Sequence, residues 1–363
     1  MTPLRIGVDA RELLGATTGV GRYLGELLRR WTERDDWRSR RFLVYAPEPL
    51  ALPLRPDAAE LRTVSGGGRG TWWEQVHLRR AVARDRPDVF FAPAYTAPLV
   101  AGVPLAVTIH DVSFAAHPEW FRLREGMRRR WLTRRSARSA SVVFTDSEFS
   151  RSEIERHLGV SGGRIQVIPP GVAPRQGATI ETRDPLVLYV GSIFNRRRLP
   201  DLIAAFAVAA AQAPDARLIL VGENRTWPPQ RLRDVARSHG VDSRVEIRDY
   251  VPEAELSELY RRAAVFAFLS EYEGFGLTPL EALSVGVPVV VLDTPVAREI
   301  YGPAAFYVQR GDIKGTARLL QELLADRRSA AAAVAAASPV LARYSWERCA
   351  SDILQHVERV ARR

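Results

Sequence analysis

Residues 270–281, with the sequence SEYEGFGLTPLE, form a pattern that could bind a phosphate. An apolar strand pattern precedes a glycine-containing turn, and a helix begins just after that turn. Because first-turn N–H groups have no partner inside a helix and lie at the positive end of its dipole, the N–H groups of residues 276–278 are expected to bind an anion. Glu281, one turn into the helix, can accept hydrogen bonds from paired hydroxyls such as those of a ribose, and Glu273 would project into the same cleft. Alternatively, Glu273 is a surface acid and Glu281 complements the helix dipole.

A second pattern, GSIFNRRR at residues 191–198, lies between a predicted strand and a predicted helix. Three adjacent arginines in such a loop can neutralise a diphosphate, because the planar guanidinium group matches phosphate oxygens. The alternative is a solvated basic loop. We expect Arg196 and Arg197 to take part in anion binding.

A glycine-rich loop, GATTGVG at residues 15–21, also follows a strand and opens a helix. Its spacing matches that of short-chain dehydrogenases, but those enzymes need Tyr-x-x-x-Lys, and Arg310 stands four residues before Lys314, the single lysine. The dehydrogenase interpretation is therefore disfavoured. What remains is a loop whose glycines allow a ligand to approach the backbone closely.

His110 and Asp111 follow the predicted strand at residues 105–109. His110 can contact a sugar hydroxyl or polarise a reacting centre. The alternative is a structural histidine whose hydrogen bonds are all made within the protein. His110 and His117 are too few ligands for a metal site, and the sequence has no Asp-x-Asp motif. We therefore expect no metal ion.

The segment at residues 122–138 has eight arginines against one acid, Glu125. With Met127, Trp131 and Leu132 as an apolar stripe, it predicts a basic amphipathic helix that lies on an anionic membrane or grips an anionic acceptor. A solvated basic face is the alternative, and nucleic acid is disfavoured because no recognised nucleic-acid motif accompanies the charge. The residues proposed for this surface are Arg128, Arg129, Trp131 and Arg135.

The composition agrees with anionic ligands. The chain has 363 residues, 46% of them hydrophobic and 26% charged, which indicates an ordinary globular protein of about two domains. Its 52 basic and 42 acidic side chains give a net charge of +10, which favours anionic partners. One cysteine, Cys349, excludes a disulfide framework, and Lys314 lies in no Walker motif and in a polar turn unsuited to Schiff-base chemistry. No apolar run is long enough for a membrane span, and the first residues lack a signal peptide's apolar core, so we expect a cytoplasmic protein.

Strand and helix patterns alternate twice along the chain, which predicts two doubly wound α/β domains with parallel sheets. Ligands of such sheets bind at the carboxyl ends of the strands, here facing the cleft between the domains. A Pro- and Gly-rich stretch at residues 173–185 is the predicted linker between domains at 1–172 and 186–345, and a helix at 346–363 is expected to pack back on the first domain. The strands are predicted at residues 5–9, 42–46, 89–92, 105–109, 141–145, 186–190, 217–221, 245–248, 265–269 and 287–292. The helices are predicted at residues 19–31, 199–212, 228–239, 278–285, 325–337 and 346–360.

Taken in this order, the motifs resemble those of glycosyltransferase family 4, retaining enzymes with the GT-B fold. The resemblance covers nearly the whole chain and rests on TGVGRY at 18–23, VTIHDVSF at 107–114, DSEFS at 146–150 and VIPPGV at 167–172. In the second half it rests on YVGS at 189–192, LVG at 220–222, Glu-x7-Glu within YEGFGL, and GVPVV at 286–290. The implied fold is two Rossmann-like domains, the first for the acceptor and the second for a nucleotide sugar.

The resemblance also implies residue roles. Arg196 and Arg197 fall where the family binds the diphosphate, with Arg197 in place of a lysine, and Ser192 falls where many members have a further phosphate-binding arginine. By position, Glu281 matches the ribose-binding glutamate, Glu273 matches the acid near the donor sugar, and His110 matches the histidine at the reaction centre. The implied catalytic residues are His110, Glu273 and Arg197. The implied nucleotide-sugar site comprises Gly19, Gly21, Ser192, Arg196, Arg197, Val251, Gly274, Phe275, Gly276, Leu277, Thr278 and Glu281.

The implied function is the retaining, metal-independent transfer of a hexose, mannose first, to a hydroxyl of a glycan or lipid-linked glycan. A GDP-sugar is favoured over a UDP-sugar as co-substrate because His-Asp-x-Ser-Phe resembles mannosyltransferases of surface polysaccharide pathways, and no cofactor is expected. Front-face attack is favoured over a covalent intermediate, and domain closure would exclude water. The protein would lie at the inner membrane face. The alternatives are a nucleotide-sugar epimerase or hydrolase of the same fold, and a non-catalytic nucleotide-sugar or nucleic-acid binding protein.

Overall fold

The computed structural model describes residues 3–15, 19–52, 54–173 and 183–362. The chain divides into two compact units. The first consists of Met1–Pro118, Leu123–Gly171 and Tyr344–Arg363, and the second of Glu119–Arg122 and Val172–Arg343.

Within the described residues, the first unit contains one parallel sheet of seven strands. Its central strands are apolar on both faces and fully buried, as expected for a sheet covered by helices on both sides. The strands are β1 (Leu4–Asp9), β2 (Arg40–Ala46), β3 (Ala59–Thr63), β4 (Val89–Ala92), β5 (Leu105–Thr108), β6 (Val142–Thr145) and β7 (Ile165–Val167). Their order across the sheet is β3-β2-β1-β4-β5-β6-β7, so β4, β5 and β6 are direct neighbours.

The α-helices that the structure describes in this unit are α1 (Gly19–Glu33), α2 (Arg79–Asp85), α3 (Ser113–Ala116), α4 (Leu123–Ser139), α5 (Glu148–Leu158) and the C-terminal α13 (Trp346–Ala361). Helix α13 packs on α1, where Trp31 Nε1 donates to the Ala350 carbonyl at 2.8 Å. Its apolar side chains, among them Ile353 and Val357, are buried in the core that α1 and the sheet form.

The second unit contains, within the described residues, a parallel sheet of six strands. These are β8 (Asp184–Val190), β9 (Arg217–Val221), β10 (Val245–Arg248), β11 (Ala263–Phe268), β12 (Val289–Leu292) and β13 (Ala305–Val308), in the order β10-β9-β8-β11-β12-β13. The α-helices of its described part are α6 (Leu199–Ala210), α7 (Leu232–Ser238), α8 (Glu253–Arg262), α9 (Leu277–Ser284), α10 (Pro295–Tyr301), α11 (Ile313–Ala325) and α12 (Ala331–Leu341).

The predicted fold class, α/β with two parallel sheets, is confirmed. Several elements differ from the prediction. The helix expected at 325–337 corresponds to α12, which begins at Ala331 because the exposed residues around Asp326 separate it from α11, a helix that was not predicted. Helix α7 begins at Leu232 rather than at Pro228, and strands β3, β7 and β13 were not predicted. Most of the predicted linker lies outside the described residues.

Candidate functional site

The turn between β11 and α9 has the geometry expected of an anion site in the second unit. Helix α9 begins at Leu277, directly after Gly276, whose φ of 89° is in the left-handed region. A β-carbon at Gly276 would lie 2.2 Å from the Tyr301 hydroxyl, which donates to the Gly276 carbonyl at 2.9 Å. Both the conformation and the space therefore require glycine here. The first-turn N–H groups of α9, at Leu277 and Thr278, follow directly.

Arg196 and Arg197 lie in a short turn after β8, the strand that pairs with β11 in the sheet. Their guanidinium groups stack on aromatic rings, Arg196 on Phe194 at 4.4 Å and Arg197 on Phe268 at 4.5 Å from the ring centre. The Nε atoms of both arginines are buried and have no hydrogen-bond partner among the described residues. Two positive groups thus lie where adjacent strands end, at the edge of a parallel sheet where ligands bind.

Arg197 forms an ion pair with Glu273 and lies 3.3 Å from the Ser270 hydroxyl. Ser270 also donates to Glu273. Burial alone would lower the pKa of Arg197, but the charge and hydrogen bond of Glu273, together with Tyr189 and Tyr301, outweigh burial and raise the pKa above its ordinary value. Glu273 therefore holds a permanently charged guanidinium group in place, next to the anion site.

Arg198 does not join the other two arginines. Its backbone is left-handed, with φ of 53°, and its side chain pairs with Asp201 at 2.6 Å and with Glu271 at 3.2 Å. The expectation of three phosphate-facing arginines is therefore reduced to two. Glu271, which the sequence reasoning missed, also lies 3.2 Å from Arg310, and its backbone N–H donates to the Arg196 carbonyl at 2.9 Å. Its position two residues before Glu273 was the available signal.

Glu281 is 6% exposed and accepts a hydrogen bond from the Tyr260 hydroxyl at 3.0 Å. Tyr260 lies on α8, is fully buried, and was also missed, because one tyrosine in an amphipathic helix is indistinguishable from ordinary core. Its hydrogen bond fixes the orientation of the Glu281 carboxylate. Whether Glu281 binds a ribose remains a prediction.

The structure places the other predicted nucleotide-site residues as follows. Gly274 and Phe275 lie in the turn before α9, and Phe275 is buried. Ser192 follows β8, and its carbonyl accepts from the Tyr189 hydroxyl at 3.1 Å. Val251 is buried just after β10. In the first unit, Gly19 and Gly21 lie in the first turn of α1, whereas residues 16–18 of the same loop lie outside the described residues.

His110 lies in the first unit, two residues after β5, and both of its ring nitrogens have partners. Nδ1 lies 2.8 Å from an Asp146 carboxylate oxygen, and Nε2 lies 3.0 Å from the Pro93 carbonyl oxygen. Tyr23 and Tyr95 pack edge-to-face on the ring, at 4.9 and 5.8 Å between ring centres. His110 is therefore held from several directions, and its partner Asp146 had been given no role from the sequence.

Two family models match consecutive parts of the chain. The model described as "Glycosyltransferase Family 4" matches residues 17–176, and the model described as "Glycosyl transferases group 1" matches residues 174–338. Together they span most of the sequence, and they meet at residues 174–176, just after the point where the chain passes from the first unit to the second. The chain belongs to glycosyltransferase family 4. It is a glycosyltransferase, and the resemblance inferred from the motifs is confirmed.

Named relatives agree with this family. The O-antigen chain mannosyltransferase B of Escherichia coli is 26% identical over 366 residues, covering 93% of this chain and 95% of the relative. The GDP-mannose:cellobiosyl-diphosphopolyprenol alpha-mannosyltransferase of Komagataeibacter xylinus is 29% identical over 236 residues, covering 64% of this chain and 59% of the relative. Among solved structures, Anabaena HepE in complex with UDP and glucose has a TM-score of 0.77 at 19% identity, covering 98% of this chain and 99% of HepE. The fold is GT-B.

For this glycosyltransferase, the expected basic surface is helix α4, which begins at Leu123 and ends at Ser139. Its arginines are exposed, although Arg128 bonds Thr71 and Arg129 pairs with Glu125 at 2.7 Å. The apolar stripe differs from the predicted one. Leu132 is 5% exposed and faces the core, because consecutive residues are about 100° apart on a helix and Leu132 therefore lies on a different face from Trp131. The exposed apolar side chains recur every four residues, and they are Leu123 (76% exposed), Met127 (60%) and Trp131 (56%).

Two kinds of feature are absent from the described residues. In residues 3–15, 19–52, 54–173 and 183–362, no helix has the length and apolar character to cross a bilayer. In the same ranges, no three His, Cys, Asp or Glu side chains are grouped so as to hold a metal ion.

Proposed function

We propose that this glycosyltransferase moves mannose from GDP-mannose, with retention of configuration and without a metal ion, to a hydroxyl of a glycan or lipid-linked glycan. The relatives support mannose, since O-antigen chain mannosyltransferase B matches along nearly the whole chain and a second relative is named for GDP-mannose.

One observation carries the proposal: the two loops that bear anion-binding groups are joined directly. The Glu271 N–H donates to the Arg196 carbonyl, and Arg197 pairs with Glu273. These two contacts hold the arginine turn, residues 195–197, directly against the loop that leads into α9. Two guanidinium groups and a helix N-terminus at one sheet edge suit a diphosphate that carries two or more negative charges. Stabilising that charge as it develops is the largest catalytic task in breaking a sugar–diphosphate bond.

The proposed reaction needs no covalent enzyme intermediate. The bond between sugar C1 and the diphosphate oxygen breaks, and its electron pair stays on the diphosphate, where Arg196, Arg197 and the start of α9 stabilise it. The acceptor oxygen bonds C1 from the same face, and its proton passes to a diphosphate oxygen. Because arginines and helix N–H groups supply the positive charge, a metal ion is dispensable in this scheme.

UDP-glucose is the second candidate donor, because HepE, which shares the fold along nearly its whole length, was solved with UDP and glucose. The two donors differ in base and sugar, and the diphosphate contacts proposed here suit both.

Thermal-shift and activity measurements test the donor assignment. We expect GDP and GDP-mannose to stabilise the chain more than UDP and UDP-glucose, and labelled mannose to move from GDP-mannose to a polyprenyl-linked acceptor with an α-anomeric product by NMR. Arg197→Ala should abolish the shift, whereas Arg237→Ala should preserve it, because Arg237 is an exposed arginine on α7 that pairs with Asp234 at 3.0 Å. If the chain prefers UDP-glucose, the assignment of GDP-mannose as donor is wrong. Turnover without an acceptor indicates an epimerase or hydrolase instead.

We further propose that helix α4 places the acceptor domain on an anionic membrane face. The stripe Leu123, Met127 and Trp131 is flanked by exposed arginines, the combination by which interfacial helices bind anionic lipids. Sedimentation with vesicles containing phosphatidylglycerol should recover the chain, whereas phosphatidylcholine vesicles should not. Replacing the three stripe residues with serine should abolish binding, and Leu61→Ser, which changes a 44% exposed leucine on edge strand β3, should not. Equal binding to both kinds of vesicle contradicts this proposal.

A further inference from the structure

Three neighbouring strands of the first unit each deliver one group to the same point. Pro93 follows β4 by one residue, His110 follows β5 by two, and Asp146 follows β6 by one. Since β4, β5 and β6 are adjacent in a parallel sheet, these groups meet at its carboxyl edge. The backbone there is fixed as well, because the Ser150 hydroxyl donates to the His110 carbonyl at 3.1 Å and the Thr145 hydroxyl donates to the Ile109 carbonyl at 2.8 Å.

Both ring nitrogens of His110 face oxygen atoms. The Pro93 carbonyl can only accept, so Nε2 must carry a proton. A carboxylate can also only accept, so Nδ1 must carry a proton if Asp146 is ionised. A neutral imidazole has one N–H group and one lone pair, and therefore cannot satisfy both partners in that state.

The surroundings of Asp146 give a second reason to expect protons on both ring nitrogens of His110. It is 5% exposed, and its other carboxylate oxygen, Oδ1, is buried without a hydrogen-bond partner among the described residues. A buried carboxylate with so few partners is costly unless an opposite charge lies beside it. His110 is the group that can supply that charge at 2.8 Å.

We propose that Asp146 is a positioning residue that holds His110 as an imidazolium with a fixed ring orientation, so that His110 is a hydrogen-bond donor and not a general base. An imidazolium has no lone pair with which to take a proton from an acceptor hydroxyl. The Nδ1 proton stays in the hydrogen bond to Asp146, so the Nε2 proton is the one that His110 can share with a substrate oxygen. The kinetic consequence depends on the proposed function, whereas the charge state of the ring does not.

The surrounding groups agree with this assignment. Burial alone would lower the pKa of His110, but the Asp146 carboxylate, the hydrogen bonds to Asp146 and Pro93, and the charge of Asp111 outweigh burial, so the pKa is raised above its ordinary value. Burial also raises the pKa of Tyr23 on α1 well above the ordinary value. The same holds for the pKa of the Cys349 thiol on α13, so both groups stay neutral near neutral pH. The Tyr95 hydroxyl donates to Asp111 at 3.2 Å, and Asp146 is hydrogen-bonded to the ring at 2.8 Å.

Nitrogen-15 NMR of the full chain labelled at histidine tests the proposal without any substrate. The His110 signal is assigned by its loss in His110→Gln. We expect both His110 nitrogens to be protonated at neutral pH in the wild-type chain, and Asp146→Asn to lower its proton affinity by about tenfold or more. Asp111→Asn is the control, with a smaller change because the charge of Asp111 is the smallest of the influences that raise the His110 pKa. A wild-type His110 with a single N–H, which includes the case of a neutral histidine beside a protonated Asp146, overturns the proposal even if Asp146→Asn does not fold.

Kinetics test the consequence for the reaction. Asp146→Asn should lower kcat and move the alkaline limb of the pH–rate profile to lower pH. The KM for the nucleotide sugar should stay near the wild-type value, because Arg196 and Arg197, the side chains proposed to bind the diphosphate, lie in the second unit. A lower kcat with an unchanged pH profile contradicts the proposed positioning role. If no donor supports transfer, the proposed function fails, and the NMR result still decides the charge of His110.

Discussion

Replacing Arg197 with alanine tests the ion pair at the anion site, and its cost can be worked from the geometry. Arg197 is 9% exposed, and the Glu273 side chain with which it pairs is 14% exposed. Removing one member of a buried pair costs about 3–5 kcal/mol, because the other charge is left without its partner. Glu273 keeps the hydrogen bond from Ser270, so we expect the lower end, about 3 kcal/mol of unfolding free energy. In a unit of this size that lowers the melting temperature by roughly 6–12 °C.

The same substitution should impair catalysis. A hydrogen bond between a guanidinium group and a phosphate contributes about 1.5–3 kcal/mol, so kcat/KM should fall by about 10- to 150-fold. If Glu273 acts mainly on Arg197, Glu273→Ala in the Arg197→Ala background should restore part of the stability and none of the activity. Such a result separates the unpaired charge from the lost phosphate contact.

The assay is a double-mutant cycle, with unfolding free energies from denaturant titration and kcat/KM for the donor. Arg237→Ala serves as the control and should change the unfolding free energy by less than about 1 kcal/mol, as is usual for an exposed pair. Additive effects of Arg197→Ala and Glu273→Ala on stability, or wild-type kcat/KM in Arg197→Ala, would refute the reasoning.

Three further predictions concern the nucleotide, metal ions and pH. Glu281→Ala should weaken nucleotide binding by about 1–3 kcal/mol in calorimetry, since polar groups of the ligand lose their partner, and unchanged affinity would remove Glu281 from the ribose site. EDTA should leave transfer activity intact, and loss that magnesium or manganese restores would defeat the metal-free proposal. Burial and the nearby Glu74 carboxylate outweigh Arg11 and raise the pKa of Asp9 to about 6. The folded state then binds the extra proton, so the stability of the wild-type chain relative to Asp9→Asn should fall as pH rises from about 4 to about 6, and a flat difference would contradict this.

The sequence predicted the elements whose pattern is strong. Strands such as β4 and β9 are short apolar runs bounded by polar residues, and their bounds were predicted as observed. Edge strand β3 alternates exposed residues with buried or half-buried ones over only five positions, with two charged side chains among them, and was missed for that reason. Helix α11 was missed because Gly315 and Lys314 at its start have a turn-like composition, although Asp312 caps it through the Gly315 N–H at 2.8 Å.

At the candidate site, spacing located groups along the chain but did not show their partners. The motif around Glu273 indicated the anion site, yet nothing in the spacing showed that Arg197 pairs with Glu273 while Arg198 turns away to Asp201. That choice depends on the left-handed backbone at Arg198, which a single sequence does not reveal. The contacts of His110 with Asp146 and Pro93 likewise come from three separate strands and depend on their order in the sheet.

A crystal structure of the chain with GDP bound tests the central claim most directly. The diphosphate oxygens should lie within hydrogen-bond distance of the Arg197 guanidinium group and of the N–H groups that begin α9, with the ribose hydroxyls at Glu281. GDP bound elsewhere, contacting neither the arginine turn nor the start of α9, would contradict the assignment of this edge of the sheet as the donor site.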